Sequence, residues 1–283
     1  MKIKHLLCFI ALCLFFTPGK AQQLSVMTLR NGATVYIWED KSKPDVFGMI
    51  AFKVGSVDDP EQYTGLAHYL EHVMFKGTQT IDALDWEKEK PIYEKIIAKY
   101  DERAALSDPA AREAVDKEIN DLTREAAQYA AGNEFSLLVD HMGGQGLNAS
   151  TGYDQTEYHN SFPPSQLEKW LEIYSERLID PVFRGFQTEL EAVYEEYNMY
   201  NDDRGSRMRE FIYEQAFGDH PYARPIIGLP EHLKNPQLSK LIDFYNTWYG
   251  PQNMSIILVG NIDAKEAIPM IRDKFERVPR RAE

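Results

Sequence analysis

The chain has 283 residues and carries 44 acidic against 31 Lys and Arg side chains, a net charge of −13. With no basic patch to offset it, that balance argues against nucleic acid or anionic lipid as a partner. Its two cysteines, Cys8 and Cys13, both lie near the N-terminus, so the body of the chain has neither a disulfide nor a thiolate nucleophile.

The first residues read as a secretory signal peptide over 1–21. Met1-Lys2-Ile3-Lys4 is a basic start, 6–16 is almost wholly apolar, and Gly19 and Ala21 suit cleavage before Gln22. The apolar run is too short to span a bilayer stably, so it reads as a leader and not as a membrane anchor. Neither cysteine follows the small residues of a lipoprotein cleavage site. Cleavage would remove Lys2, Lys4 and Lys20 and take the charge from −13 to −16. It would leave a chain, 22–283, exported to a periplasm or secreted, with no stable anchor. That length suits one large domain or two small ones.

Next come two predicted strands, 24–29 and 33–38, turned at Asn31-Gly32. A mostly apolar strand over 46–54 suits the middle of a sheet. A loop over 55–64 leads into a short amphipathic helix, 65–77, with Thr64 as its expected cap and Gly77 closing its end. The composition then changes. Residues 86–131 are dense in charge and Ala, broken at Ser107-Asp108-Pro109, with apolar residues at helical spacing (Ile92, Ile96, Tyr100; Val115, Ile119, Leu122). This reads as a protruding helical hairpin, inserted over about 85–131, a solvated helix pair in preference to a recognition arm. Beyond it come a helix over 134–142, strands over 146–151 and 156–162, and a helix opened by Pro163-Pro164 that runs to 179. Trp170, Leu171, Tyr174 and Leu178 should face inward there. Thr188 is the expected cap of a long helix starting at Glu189. Helices at about 206–217 and 236–249, an apolar strand over 254–259 and a last helix over 263–275 complete the chain. Paired strands with helices between them suggest an α+β fold: a mixed, mainly antiparallel sheet with helices packed on one face.

Chemistry concentrates in the helix 65–77. His68 and His72 stand four apart, so both imidazoles share one face a turn apart, the spacing at which two ring nitrogens can bind one zinc. Glu71 sits on the edge of that face, within reach of a water at such a metal without being a ligand. The pattern H-x-x-E-H is a zinc-peptidase signature, although five residues alone fit two solvated histidines equally well. An open zinc site on two histidines needs a third ligand, usually a carboxylate. The richest acidic helix offers Glu189 and Glu196, seven apart and on one face; Glu172, Glu191 and Glu195 read as solvated charges.

Taken together, His68-x-x-Glu71-His72 and Glu189-x6-Glu196 resemble the inverted-motif zinc peptidases of the pitrilysin, insulysin and mitochondrial processing peptidase type. Gly65-Leu66-Ala67 and Phe75-Lys76-Gly77-Thr78 around the motif match that family. So do Leu147-Asn148-Ala149-Ser150-Thr151, His220-Pro221-Tyr222 and Tyr249-x-Pro251-x-Asn253-Met254. The resemblance implies that His68, His72 and Glu196 bind one zinc ion, that Glu71 is the general base and that Glu189 supports the metal. It also implies that Asn148 and Ala149 border an edge strand to which a peptide substrate adds; read without it, Asn148 could be a turn residue. The implied activity is zinc-dependent endopeptidase hydrolysis of peptides or unfolded polypeptides. The chain departs from the family in two ways. His72 and Glu196 are unusually far apart, by about the length of the charged segment. The sequence also covers only the first domain of what, in the family, is a two-half enclosure. The alternative expectation is therefore one subunit or truncated half, binding zinc and peptide but inactive without its partner.

Overall fold

The computed structural model describes residues 23–281. The expected signal peptide, with Cys8 and Cys13, lies outside the described residues.

Six strands form one sheet in the order β1-β2-β6-β3-β5-β4, with β1 Gln23–Thr28, β2 Thr34–Glu39, β3 Val46–Phe52, β4 Gln145–Thr151, β5 Thr156–Phe162 and β6 Met254–Gly260. All neighbours are antiparallel except β2 and β6. The fold is thus α+β on a mixed, mainly antiparallel sheet. Alternation along each strand turns Val35, Ile37, Ile50, Phe52, Tyr158, Phe162, Ile256 and Leu258 into the core. The opposite face carries Tyr36, Trp38 and Val259, all exposed.

Helices cover the buried face. α1 (Leu66–Val73) is followed by α2 (Trp86–Ala105), α3 (Pro109–Ala126), α4 (Glu134–His141), α5 (Leu167–Ile179) and α6 (Phe186–Asp202). α7 (Arg204–Phe217), α8 (Leu238–Trp248) and α9 (Ala264–Phe275) follow. The expected inward residues of α5 are all buried. Trp170 lies so close over β3 that a Cβ on Gly48 would meet its ring at 2.5 Å, which is why glycine stands there.

Three local expectations are corrected. Thr64 does not cap α1: its Oγ1 pairs with His232 Nδ1 at 2.8 Å and accepts the Leu229 N–H at 2.9 Å. Asp59 does the capping instead, accepting the Gly65 and Ala67 N–H groups at 2.7 and 2.8 Å. Gly65 itself is left-handed (φ 90°), and a Cβ there would meet Ile227 O at 2.5 Å. α1 also ends at Val73, before Gly77, which turns the loop beyond it at φ 88°. Thr188 does not cap α6, which starts at Phe186 behind left-handed Gly185.

The charged segment does form a helical pair, broken where Asp108 caps α3 by accepting the Ala111 N–H and Pro109 takes the first helical position. It does not protrude. Ile92, Ile96, Tyr100, Val115 and Ile119 are buried, Tyr100 packs edge-on against Phe186 at 4.8 Å, and Arg184 grips buried Glu89 at 2.6 and 2.8 Å. The periodicity revealed the apolar stripe but not the surface it meets.

Candidate metal centre and cleft

α1 and α6 meet face to face. Tyr69 on α1 stacks near Phe186 at 4.8 Å and its hydroxyl donates to the Phe186 carbonyl, fixing the start of α6 against α1. Glu189 and Glu196, two turns apart on α6, are thereby set opposite α1. His68 and His72 have ring centroids 4.7 Å apart, and their Nε2 atoms lie 3.7 and 3.5 Å from the same oxygen of Glu196. One ligand atom from each of the three residues falls within 4.8 Å of the others.

Glu189 stands behind this cluster. Its Oε1 is 3.0 Å from His72 Nδ1 and its Oε2 is 2.6 Å from Lys76 Nζ. A carboxylate at Nδ1 favours a proton on that nitrogen, so that in the neutral ring Nε2 carries the lone pair. Burial would raise the pKa of Glu189, but the His72 and Lys76 hydrogen bonds outweigh it and hold the carboxyl below its ordinary value. For His72, burial works against the charged form but is outweighed by Glu189, Glu71 and Glu196, and its pKa rises. Burial and the neighbouring His72 push His68 down to about 3, so its ring is neutral, and its buried Nδ1 has no partner among the described residues.

Glu71 lies beside the trio, not within it. Its Oε2 accepts the Thr151 hydroxyl at 2.6 Å, joining α1 to the end of edge strand β4. Burial raises its pKa, opposed by Thr151 and His72. Beneath α1, Arg177 is fully buried with its guanidinium 4.3, 4.5 and 4.8 Å from the rings of Phe135, Tyr158 and Phe75. It donates to the Met74 carbonyl at 3.0 Å, closing the C-terminal end of α1 with positive charge.

These groups open on a cleft of about 640 Å³. Asn148 and Ala149 of β4 line it, together with Ser150 and Thr151, so every residue expected at the site lies in or directly behind one cleft. Among the described residues β4 pairs only with β5, so its other edge has no strand partner there. The opposite wall, which the sequence did not reveal, comes from Tyr200 at the end of α6 and from Ser206, Arg209, Glu210 and Tyr213 of α7. Thr151 and Lys76 were also missed as working groups, although both stand inside the quoted motifs.

The donor set suits a divalent cation. Two imidazoles and a carboxylate converge, one ring has its far nitrogen beside Glu189, and the three face the cleft.

A family model described as insulinase (peptidase family M16) matches residues 34–90 and 120–229, and one described as peptidase M16 inactive domain matches 237–283. The probable zinc protease PqqL of Escherichia coli strain K12 is 25% identical over 270 residues, covering 91% of this chain and 23% of that protein. The crystal structure of the first half of the periplasmic protease PqqL from Escherichia coli superposes with a TM-score of 0.69 at 25% identity, over 93% of this chain and 48% of that one. A protease from Helicobacter pylori gives a TM-score of 0.72 at 22% identity, over 93% and 52%. The chain thus spans between about a quarter and a half of the length of these relatives.

Proposed function

The chain belongs to the insulinase family of peptidases, M16, and from that premise we propose that it is a zinc-dependent endopeptidase acting on peptides or unfolded polypeptides. The observation that carries this reading is the convergence of His68, His72 and Glu196 on one point, with Glu71 beside it and Glu189 behind. The relatives' names as zinc proteases support zinc as the metal. Bound there, zinc supplies Lewis-acid polarisation of a scissile carbonyl and lowers the pKa of water toward about 7.

This chain's own residues do the rest. Glu71 takes the proton of the attacking water and hands it to the leaving amine, a transfer worth about 10²–10⁴-fold. Its raised pKa suits a group that must both accept and return a proton, and the Thr151 hydroxyl holds its carboxylate in place. Glu189 keeps His72 in the tautomer that offers Nε2, and Lys76 steadies Glu189. The free edge of β4 at Asn148 and Ala149 takes the peptide as an added strand, a mode that reads backbone more than sequence. Removing metal with a chelator should abolish cleavage of an unfolded polypeptide, and added zinc should restore it. His68→Ala should purify without zinc. Cleavage undiminished by chelation would refute the reading.

A second reading is favoured by one observation, that the chain covers only about half of the Helicobacter pylori protease. Here the chain is the zinc-bearing half of a two-half peptidase and turns over only with its partner half. Adding that half should raise kcat/KM many-fold while the zinc content stays constant; equal rates with and without it would exclude the dependence. Two further points belong to the proposal. Residues 1–21 are a leader for export, in keeping with the periplasmic Escherichia coli relative. The segment around 85–131 is an insertion, in keeping with the gap between the two stretches of the family match.

A further inference from the structure

α7 presents Ser206, Arg209, Glu210 and Tyr213 to the cleft, the i, i+3, i+4, i+7 face of one helix, directly across from the free edge of β4. Resting on the reading of that edge as the peptide's docking strand, we propose that this face is a side-chain subsite, with Arg209 selecting a carboxylate carried by the bound peptide.

Among the described residues, Arg209 is the one Lys or Arg side chain that lines the cleft. Its guanidinium has a single weak tie, Nη2 to Ser206 Oγ at 3.3 Å, and forms no ion pair among the described residues. Asp203, the cap residue of α7, accepts the Ser206 N–H at 2.7 Å. Glu71 and Glu196 belong to the metal centre. Most of the five N–H donors of a planar fork that fits a carboxylate bidentately are therefore unused and exposed.

The surroundings are built to hold it there. Tyr213 stacks on Tyr153 at 5.4 Å and 12°, tying α7 to the loop that follows β4, so the two walls keep a fixed separation. Tyr200 and Tyr213 give an aromatic bed for the apolar stem of a side chain. Glu210, beside Arg209 on the same face, repels a second acid, so one register along the strand is favoured. A strand added to β4 presents every second side chain to one face, which brings one such position to α7. The carboxylate can belong to an Asp or Glu side chain or to the peptide's C-terminus.

The test uses zinc-loaded Glu71→Gln protein and dye-labelled neutral nonapeptides with amidated C-termini, read by fluorescence polarisation. One glutamate is walked along the peptide, each position with a glutamine control, and the neutral parent is also made with a free C-terminus. One register should bind roughly tenfold tighter with Glu than with Gln. Arg209→Gln should erase that preference, bringing the Glu and Gln peptides of that register to equal affinity, and Arg209→Glu should transfer it to a walked lysine. An Arg209-dependent gain from the free C-terminus alone would assign the carboxylate to the chain end. Parent binding without any Glu register preference or free-terminus gain overturns the subsite, as does a preference that survives Arg209→Gln. A parent that does not bind at all refutes the docking strand itself, and the subsite falls with it.

Discussion

Glu189 shows how much a single side chain behind the His68, His72 and Glu196 cluster can decide. Its two oxygens bridge His72 Nδ1 and Lys76 Nζ, so one carboxylate fixes an imidazole tautomer and is itself kept ionised by an ammonium group. Partners of this kind typically change metal affinity by about 10–100-fold when removed. Glu189→Gln should therefore weaken zinc binding by about that factor in competition with a chromogenic chelator, while the protein's melting temperature moves little. Undiminished affinity would mean that His72 is oriented by packing alone. Arg177 acts from the other side. It is buried without an ion pair among the described residues, and aromatic faces plus the Met74 carbonyl stabilise its charge at the closing end of the helix that carries both histidines.

At the scale of elements, the orientation of α1 rests on Asp59. Burial pushes its carboxyl up to about 7, against the pull of the Ala67 and Gly65 N–H groups and the Arg224 guanidinium. The folded state thus holds this proton more tightly than the unfolded chain, whose value is near 3.8. The sign follows: the contribution to stability is full below about 3.8 and is lost as pH rises through 7. Urea unfolding across that range should show wild type losing stability relative to Asp59→Asn, which cannot titrate; a constant difference between the two would contradict it.

α1 also shows where sequence reading reaches and where it stops. The helix, its paired histidines and the strand alternation were readable because they are periodic and local. The true cap was not, because Asp59 precedes the N–H groups it serves by six and eight residues and arrives through a folded loop. The link between Lys76 and Glu189 joins two elements separated by more than a hundred residues. The acidic pair on α6 was visible as spacing, and only its contact with α1 gives the two residues different surroundings. The cleft wall on α7 was invisible because its face holds a serine, two charges and a tyrosine, which in sequence read as an ordinary solvated helix. The charged hairpin misled in the opposite sense: dense surface charge concealed a buried Glu89 and an apolar stripe that packs against Phe186.

For the whole molecule, the surfaces left uncovered match a chain that spans only part of its relatives. The outer face of the sheet exposes Leu24, Val26, Tyr36, Trp38 and Val259, and α7 exposes Met208, Phe211 and Ile212 on the side away from its core contacts. Apolar groups gathered this way mark surfaces that usually meet another protein surface. In the proposed mechanism metal binding by His68, His72 and Glu196 and proton transfer by Glu71 are carried by different side chains of α1 and α6. Metal analysis and peptide cleavage measured side by side on Glu71→Gln test this most directly. Glu71→Gln should hold one zinc per chain, as in wild type, with turnover lower by about 10²–10⁴-fold; full cleavage, or loss of the metal, would refute the division of roles.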